Sequence, residues 1–270
     1  MTGNNHSKDY MIISNCYRYL SAVLLVCLLT TALPERADAV RPFVTDDARV
    51  VGDRLFLLET SLKANNGLLQ NMNLFAYGPS DKLELTVGFS DGFTTKGDDR
   101  HRLSIGGIIG QAKYLFTPGT ENGLPGIAVV TGFGAPYGTN SFKEESWTNF
   151  GYLALTEALG EKERVLIHAN VGVNYTKSDD KYRTSATWGL GTQVRMIGGF
   201  HFVGEVFHGD PYAGDSGWAF QTGVRYFVSE RLQLDATAGS GFAGNNQPKA
   251  FAGCGLRFVL DAPWRSKATY

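Results

Sequence analysis

Two carboxylates stand side by side in RPFVTDDARV, residues 41–50, and adjacent acids are the residue type that shares a proton or holds a cation. Successive residues of an extended chain point to opposite sides, however, so Asp46 and Asp47 do not converge on one ligand. Thr45 beside them, and Pro42 with its fixed backbone angle and missing amide donor, describe a polar lead-in that joins no central strand pair. The other metal-type ligands are His101, His168, His201 and His208. The odd spacing of His201 and His208 puts them on opposite faces of one strand, so a metal site there needs ligands from distant elements. Gly239-Ser240-Gly241 lacks the G-x-S-x-G spacing of a nucleophile elbow, and no glycine run leads into the Gly-Lys-Ser/Thr of a phosphate loop. The chain therefore reads as a non-enzyme, with no motif that calls for a cofactor or metal. The larger chemistry-bearing set is a series of charged residues at alternate strand positions: Glu59, Lys63, Glu84, Lys113, Arg195, Glu205, Arg225, Asp235 and Arg257. Both signs are present, which suits cross-strand pairing or a polar path and not a one-sign filter.

The elements that must position these residues are strands. KLELTVGFSDG sets Leu83, Leu85, Val87 and Phe89 against Lys82, Glu84, Thr86, Gly88 and Ser90, and the same period of two recurs around Trp188, Trp218 and Cys254. The polar face is rich in Gly, Ser, Thr and Gln, small groups that suit a confined lumen, whereas a soluble sandwich presents Lys and Glu to bulk water. Aromatics at Tyr114, Phe116, Trp218, Tyr226 and Phe258 fall near strand ends, as interfacial girdles do. Glycine numbers 33 of 270 residues, about 12% against a usual level near 7%. The pattern predicts an all-β fold, a closed antiparallel transmembrane barrel of about twelve strands running from 54–64 to 249–260. The least regular strand is 150–159, where the alternation breaks and TEALGEKE admits a short helix. Connections alternate between short ones and longer, polar ones; with both termini periplasmic, the longer set faces outward.

LSAVLLVCLL, Leu20–Leu29, is an apolar run followed by Ala37-Asp38-Ala39, the small-residue pattern of a cleaved secretory signal. It divides the chain into a signal peptide at 1–39, a pre-barrel segment at 40–53, the barrel at 54–260 and a tail at 261–270, and it implies export to the outer membrane. Either Met1 or Met11 serves as the start of such a leader. Export leaves Cys254 alone, so no internal disulfide framework holds the mature chain. A net charge of −1 argues against a nucleic-acid partner.

ADAVRPFVTDDARVVG, together with QAKYLF at Gln111–Phe116, resembles a family of Gram-negative outer-membrane proteins labelled as transporters of the meta-pathway of phenol degradation. The resemblance implies a barrel associated with passage of small, often aromatic, compounds. GLRFVL, with Gly255, Phe258 and Leu260, also resembles the terminal strand signal read by outer-membrane barrel assembly machinery. The implied partners are outer-membrane lipid, that machinery and a small hydrophobic or aromatic solute. Two functional classes follow: a passive channel, or a non-conducting structural or surface-binding barrel whose long loops, with Trp147, Tyr182 and Tyr212, meet a partner. RPFVTDDARV then has two readings, a solvated periplasmic lead-in or a plug whose Asp46 and Asp47 meet Arg195, Arg225 or Arg257 through bidentate contacts.

Overall fold

Short alternating runs broken by Gly, Pro, Asn and Asp give one apolar and one polar face per strand, and only a closed sheet can pair its whole backbone within hydrocarbon while it turns the polar face away from lipid. A computed structural model shows that solution; it describes residues 42–121, 123–144, 146–178, 181–212, 217–244 and 249–263. The strands are β1 (Leu55–Asn65), β2 (Leu68–Tyr77), β3 (Leu83–Thr94), β4 (Ser104–Thr117), β5 (Gly126–Gly134), β6 (Thr148–Leu159), β7 (Val165–Ser178), β8 (Lys181–Arg195), β9 (Phe200–His208), β10 (Trp218–Phe227), β11 (Leu232–Ala243) and β12 (Phe251–Asp261). Each pairs antiparallel with its sequence neighbours, and β1 closes the ring on β12 with Leu55 opposite Asp261 and Asn65 opposite Phe251. The start of β1 and the end of β12 thus share one rim, called here the terminal end.

The structure corrects the boundaries where turn chemistry intervenes. The expected strand 127–138 stops at Gly134, because Pro136 has no amide to donate to a ladder. The expected strand 200–210 stops at His208, where Gly209 takes φ +76° and Pro211 follows. TEALGEKE contains no helix: β6 runs through Glu157 and Ala158, paired with Ile167 and Leu166. Its alternation is blurred because its inward residues Phe150, Tyr152, Ala154 and Ala158 are as apolar as its outward ones.

Outward residues form the expected belt between two aromatic girdles. At the terminal end Phe56 meets Tyr77, Tyr114 meets Phe116 and Phe200 meets Tyr226; at the other end Phe133 meets Trp147, Tyr175 meets Tyr182 and Trp188 meets Trp218. Phe258 is the exception, outward by register yet covered between its ladder neighbours Leu58 and Leu232. One sector breaks the belt: on β1–β3 the Asn71 and Asn73 amides both donate to Asp91 Oδ1 at 3.0 Å, and the single Thr60 hydroxyl proton is shared between the two asparagine Oδ1 atoms at 3.1 and 2.9 Å.

Candidate functional site

The lumen is occupied. Pro42 to Val51 folds inside the barrel, with Phe43, Thr45, Asp46, Asp47, Ala48, Val50 and Val51 all buried. A stretch without a strand partner must find acceptors elsewhere for its amides when it leaves water. The wall supplies them from inward-facing side chains. Glu205 on β9 accepts from the Val44 and Thr45 amides at 2.7 and 2.8 Å, and Asn170 on β7 accepts from Asp46 N at 2.6 Å while donating to Asp46 O at 2.9 Å. Thr156 on β6 accepts from Ala48 N, Glu84 on β3 accepts from Val51 N, and Gln221 on β10 donates to Pro42 O.

The acidic pair sits at the turn of this path. Lys113 on β4 donates to Asp46 Oδ1 at 2.6 Å and to the carbonyls of Asp47 and Arg49 at 3.1 Å each, so all three of its protons are used. Tyr152 on β6 donates to Asp46 Oδ2 at 2.9 Å. Asp47 Oδ1 accepts from Arg49 N at 2.8 Å. Burial pushes the Asp46 carboxyl up, to about 7, against the pull of the Lys113 ammonium, and burial raises Asp47 in the same direction. The expected arginine partners are corrected: Asp46 meets a lysine on β4. Arg225 instead lies over Phe43, 5.7 Å from its ring centroid, and donates to Gln193, while Arg257 sits 3.7 Å from Glu59. The charges of Arg225 and Arg257 also draw the Asp47 carboxyl down, against the effect of burial.

Room for the segment comes from small inward residues. A Cβ on Gly189 of β8 would lie 2.2 Å from Thr45 Oγ1, so no side chain fits there. Ala48 and Val50 pack with Leu115, Ala128, Val130, Phe150, Tyr152 and Ala154 on β4–β6. Val51 with Leu55, Leu57, Ala76 and Val259 closes the terminal end beneath β1, β2 and β12.

On the opposite wall a cavity of about 160 Å³ remains, lined by Glu59, Lys63, Glu84 and Lys113 of the expected pore set together with Gln70 and Phe251. Glu205, Arg225, Asp235 and Arg257 are buried, and Arg195 stands apart at the terminal end in a second cavity. Tyr212, read from sequence as a loop residue for an outside partner, turns inward. It donates to Gln111 at 2.5 Å and lies edge-on to Phe150 at 5.5 Å. His168 is also a lumen residue, bonded to Thr156 and 5.3 Å from the Phe43 ring, whereas His201 and His208 face opposite sides. Asn170, Thr156 and Tyr152 were missed because nothing in an uncharged residue's type marks it as a receptor for a distant segment. Among the described residues no group of three or more His, Cys, Asp or Glu is placed to hold a metal ion.

A closed twelve-stranded barrel, girdled by aromatics and carrying its own amino-terminal segment in the lumen, has the architecture of the outer-membrane channel proteins. The chain belongs to the family described as "Putative MetA-pathway of phenol degradation", whose profile matches residues 51–258. Among solved structures it is similar to the COG4313 outer membrane channel from Pseudomonas putida F1, with a TM-score of 0.62 and 15% identity over 79% of this chain and 98% of that one. It is also similar to the KdgM porin in complex with disordered oligogalacturonate, with a TM-score of 0.54 and 9% identity over 75% and 98% of the two chains. No curated protein matches the sequence.

Proposed function

We propose that this protein is a passive outer-membrane channel for small hydrophobic or aromatic solutes, with residues 42–51 as its plug. In this reading the leader at 1–39 is removed on export, both termini face the periplasm, and Glu59, Lys63, Glu84 and Lys113 line the solute's path. The observation that carries the reading is the way the segment is held. Its amides are received one by one by wall side chains on β3, β6, β7 and β9, and it joins no ladder. Such a segment can leave while every strand pair of the barrel stays intact. The family description and the mixed apolar and polar lining of the cavity support the solute class.

Planar-bilayer conductance tests this. Asp46→Ala with Asp47→Ala strands Lys113 without its carboxylate, and breaking a buried pair costs about 3–5 kcal/mol. The double variant is expected to insert normally and to conduct several-fold more than the parent. Unchanged conductance in a correctly folded variant sinks the plug, and a parent that neither conducts nor swells liposomes favours the non-conducting barrel.

A further inference from the structure

The cavity at the terminal end of β7–β10 is built differently from the rest of the lumen. It measures about 400 Å³, and its walls include Leu166 from β7, Gln193 and Arg195 from β8, Met196 just beyond, His201 from β9 and Phe227 from β10. Arg195, His201 and Arg225 are consecutive ladder partners across β8, β9 and β10, so three nitrogen-bearing side chains line one level of the wall.

Arg225 and the His201 N–H are engaged within the protein. Arg225 donates to Gln193 and lies between the rings of Phe43 and Phe227, at 5.7 and 5.9 Å. His201 has Nδ1 at 3.2 Å from Gly199 O, and a carbonyl only accepts, so Nδ1 carries the proton and Nε2 is left as an acceptor. Its ring stands edge-on to Phe227 at 4.8 Å. Arg195 has a buried Nε with no hydrogen-bond partner, and no carboxylate among the described residues lies within ion-pair distance of it. Of the two acids on the cavity, Glu163 is engaged by Arg49 at 3.3 Å and Glu230 stands exposed at the rim.

A desolvated guanidinium donor without an acceptor is costly, and the acceptor that matches its planar fork is a carboxylate. Phe227, Met196 and Leu166 supply its apolar wall, beside Gln193, Ser229 and two glycines, and that wall favours a flat apolar body. The volume falls within the range of about 300–1,000 Å³ usual for small-molecule sites. We infer that this cavity binds small aromatic carboxylates, with Arg195 holding the carboxylate and the ring resting against Phe227, Met196 and Leu166. The inference rests on the channel reading only in placing the site on the solute's path, where it would hold the anion at the terminal mouth.

The test is equilibrium binding to the purified barrel in detergent, by calorimetry, with benzoate as probe and benzamide and acetate as controls. Benzoate is expected to bind saturably, and both controls at least about tenfold more weakly, as loss of one charge-assisted contact or of the ring contacts implies. Arg195→Gln is expected to lower benzoate affinity about tenfold and leave benzamide unchanged, with Arg195→Lys recovering part of the loss. Heat-modifiable gel migration verifies that each variant is folded. Equal affinity for benzoate and benzamide, or a folded Arg195→Gln variant that binds benzoate like the parent, overturns the site. Because binding is read without transport, a barrel that conducts but ignores benzoate removes the site and leaves the channel, and one that binds benzoate but never conducts does the reverse.

Discussion

The two halves of the lumen obey one alternation rule and yet are furnished for different tasks. On β5 and β6 the inward positions are mostly apolar: Ala128, Val130, Phe150, Tyr152 and Ala154 form a dry bed, and on β8 Gly189 leaves space for Thr45. Set into that bed are single acceptors, Thr156, Asn170 and Glu205, each placed where a segment amide arrives. On β1–β3 and β12, apart from the contacts of Val51 with Leu55, Leu57, Ala76, Glu84 and Val259, the inward residues Glu59, Lys63, Gln70, Thr86 and Phe251 line a cavity. The difference teaches that the composition of an inward face records what it touches. A wall meeting water must stay polar throughout, whereas a wall meeting protein needs polarity only where a backbone group would otherwise go unpaired.

The largest test of this contrast is Lys113→Met. That single ammonium serves Asp46 and two carbonyls of the segment, and its loss leaves a buried carboxylate with one phenol for company. A cost of about 3–5 kcal/mol falls on the seated state and not on the sheet. The variant is expected to raise bilayer conductance at least as much as the double aspartate variant, with unchanged heat-modifiable migration. A smaller effect follows from Gly189→Val. Thr45 Oγ1 stands 2.2 Å and its Cβ and Cγ2 3.1 and 3.3 Å from the new Cβ, so the threonine as a whole, and not its hydroxyl alone, must give way. Overpacking of this kind costs about 1–3 kcal/mol. Partial opening, below that of Lys113→Met, is expected; a variant as closed as the parent shows that the bed on β8 does not hold the plug.

Most of the wall was legible because membrane strands must alternate and must close, and both demands leave marks on short windows of sequence. Twelve strands were countable, and all nine charged candidates do face inward. The failures share a cause. Strand β6 looked irregular because its lumen side is apolar, and that is explained only by a segment a hundred residues upstream. The arginine partners for Asp46 were wrong since charge type does not tell which strand lies nearest the turn of a folded-in chain. Tyr212 looked like a loop residue by position, and its inward course depends on Gln111 and Phe150, which no local pattern connects to it. The polar cluster of Thr60, Asn71, Asn73 and Asp91 on the outer face carries no sequence mark, and its mutual bonding makes that placement tolerable.

The cavity side supplies the smallest and most selective effect. Lys63 lines it, half-buried, with its ammonium 4.4 Å from the centroid of the Phe251 ring. Among the described residues it makes no hydrogen bond or ion pair with the plug, so Lys63→Gln should leave closure alone and change only the field along the path. With one positive charge gone, the reversal potential under a potassium chloride gradient should move toward cation preference. The move should be larger at about 0.1 M salt than at 1 M, because the screening length falls from about 10 Å to about 3 Å. No shift at low salt would place the ion path away from β1 and remove the cavity from the conduction route. A Lys63→Gln variant that opened the channel as widely as Lys113→Met would show that the two halves are not separable, since a residue facing only the cavity would then be holding the plug.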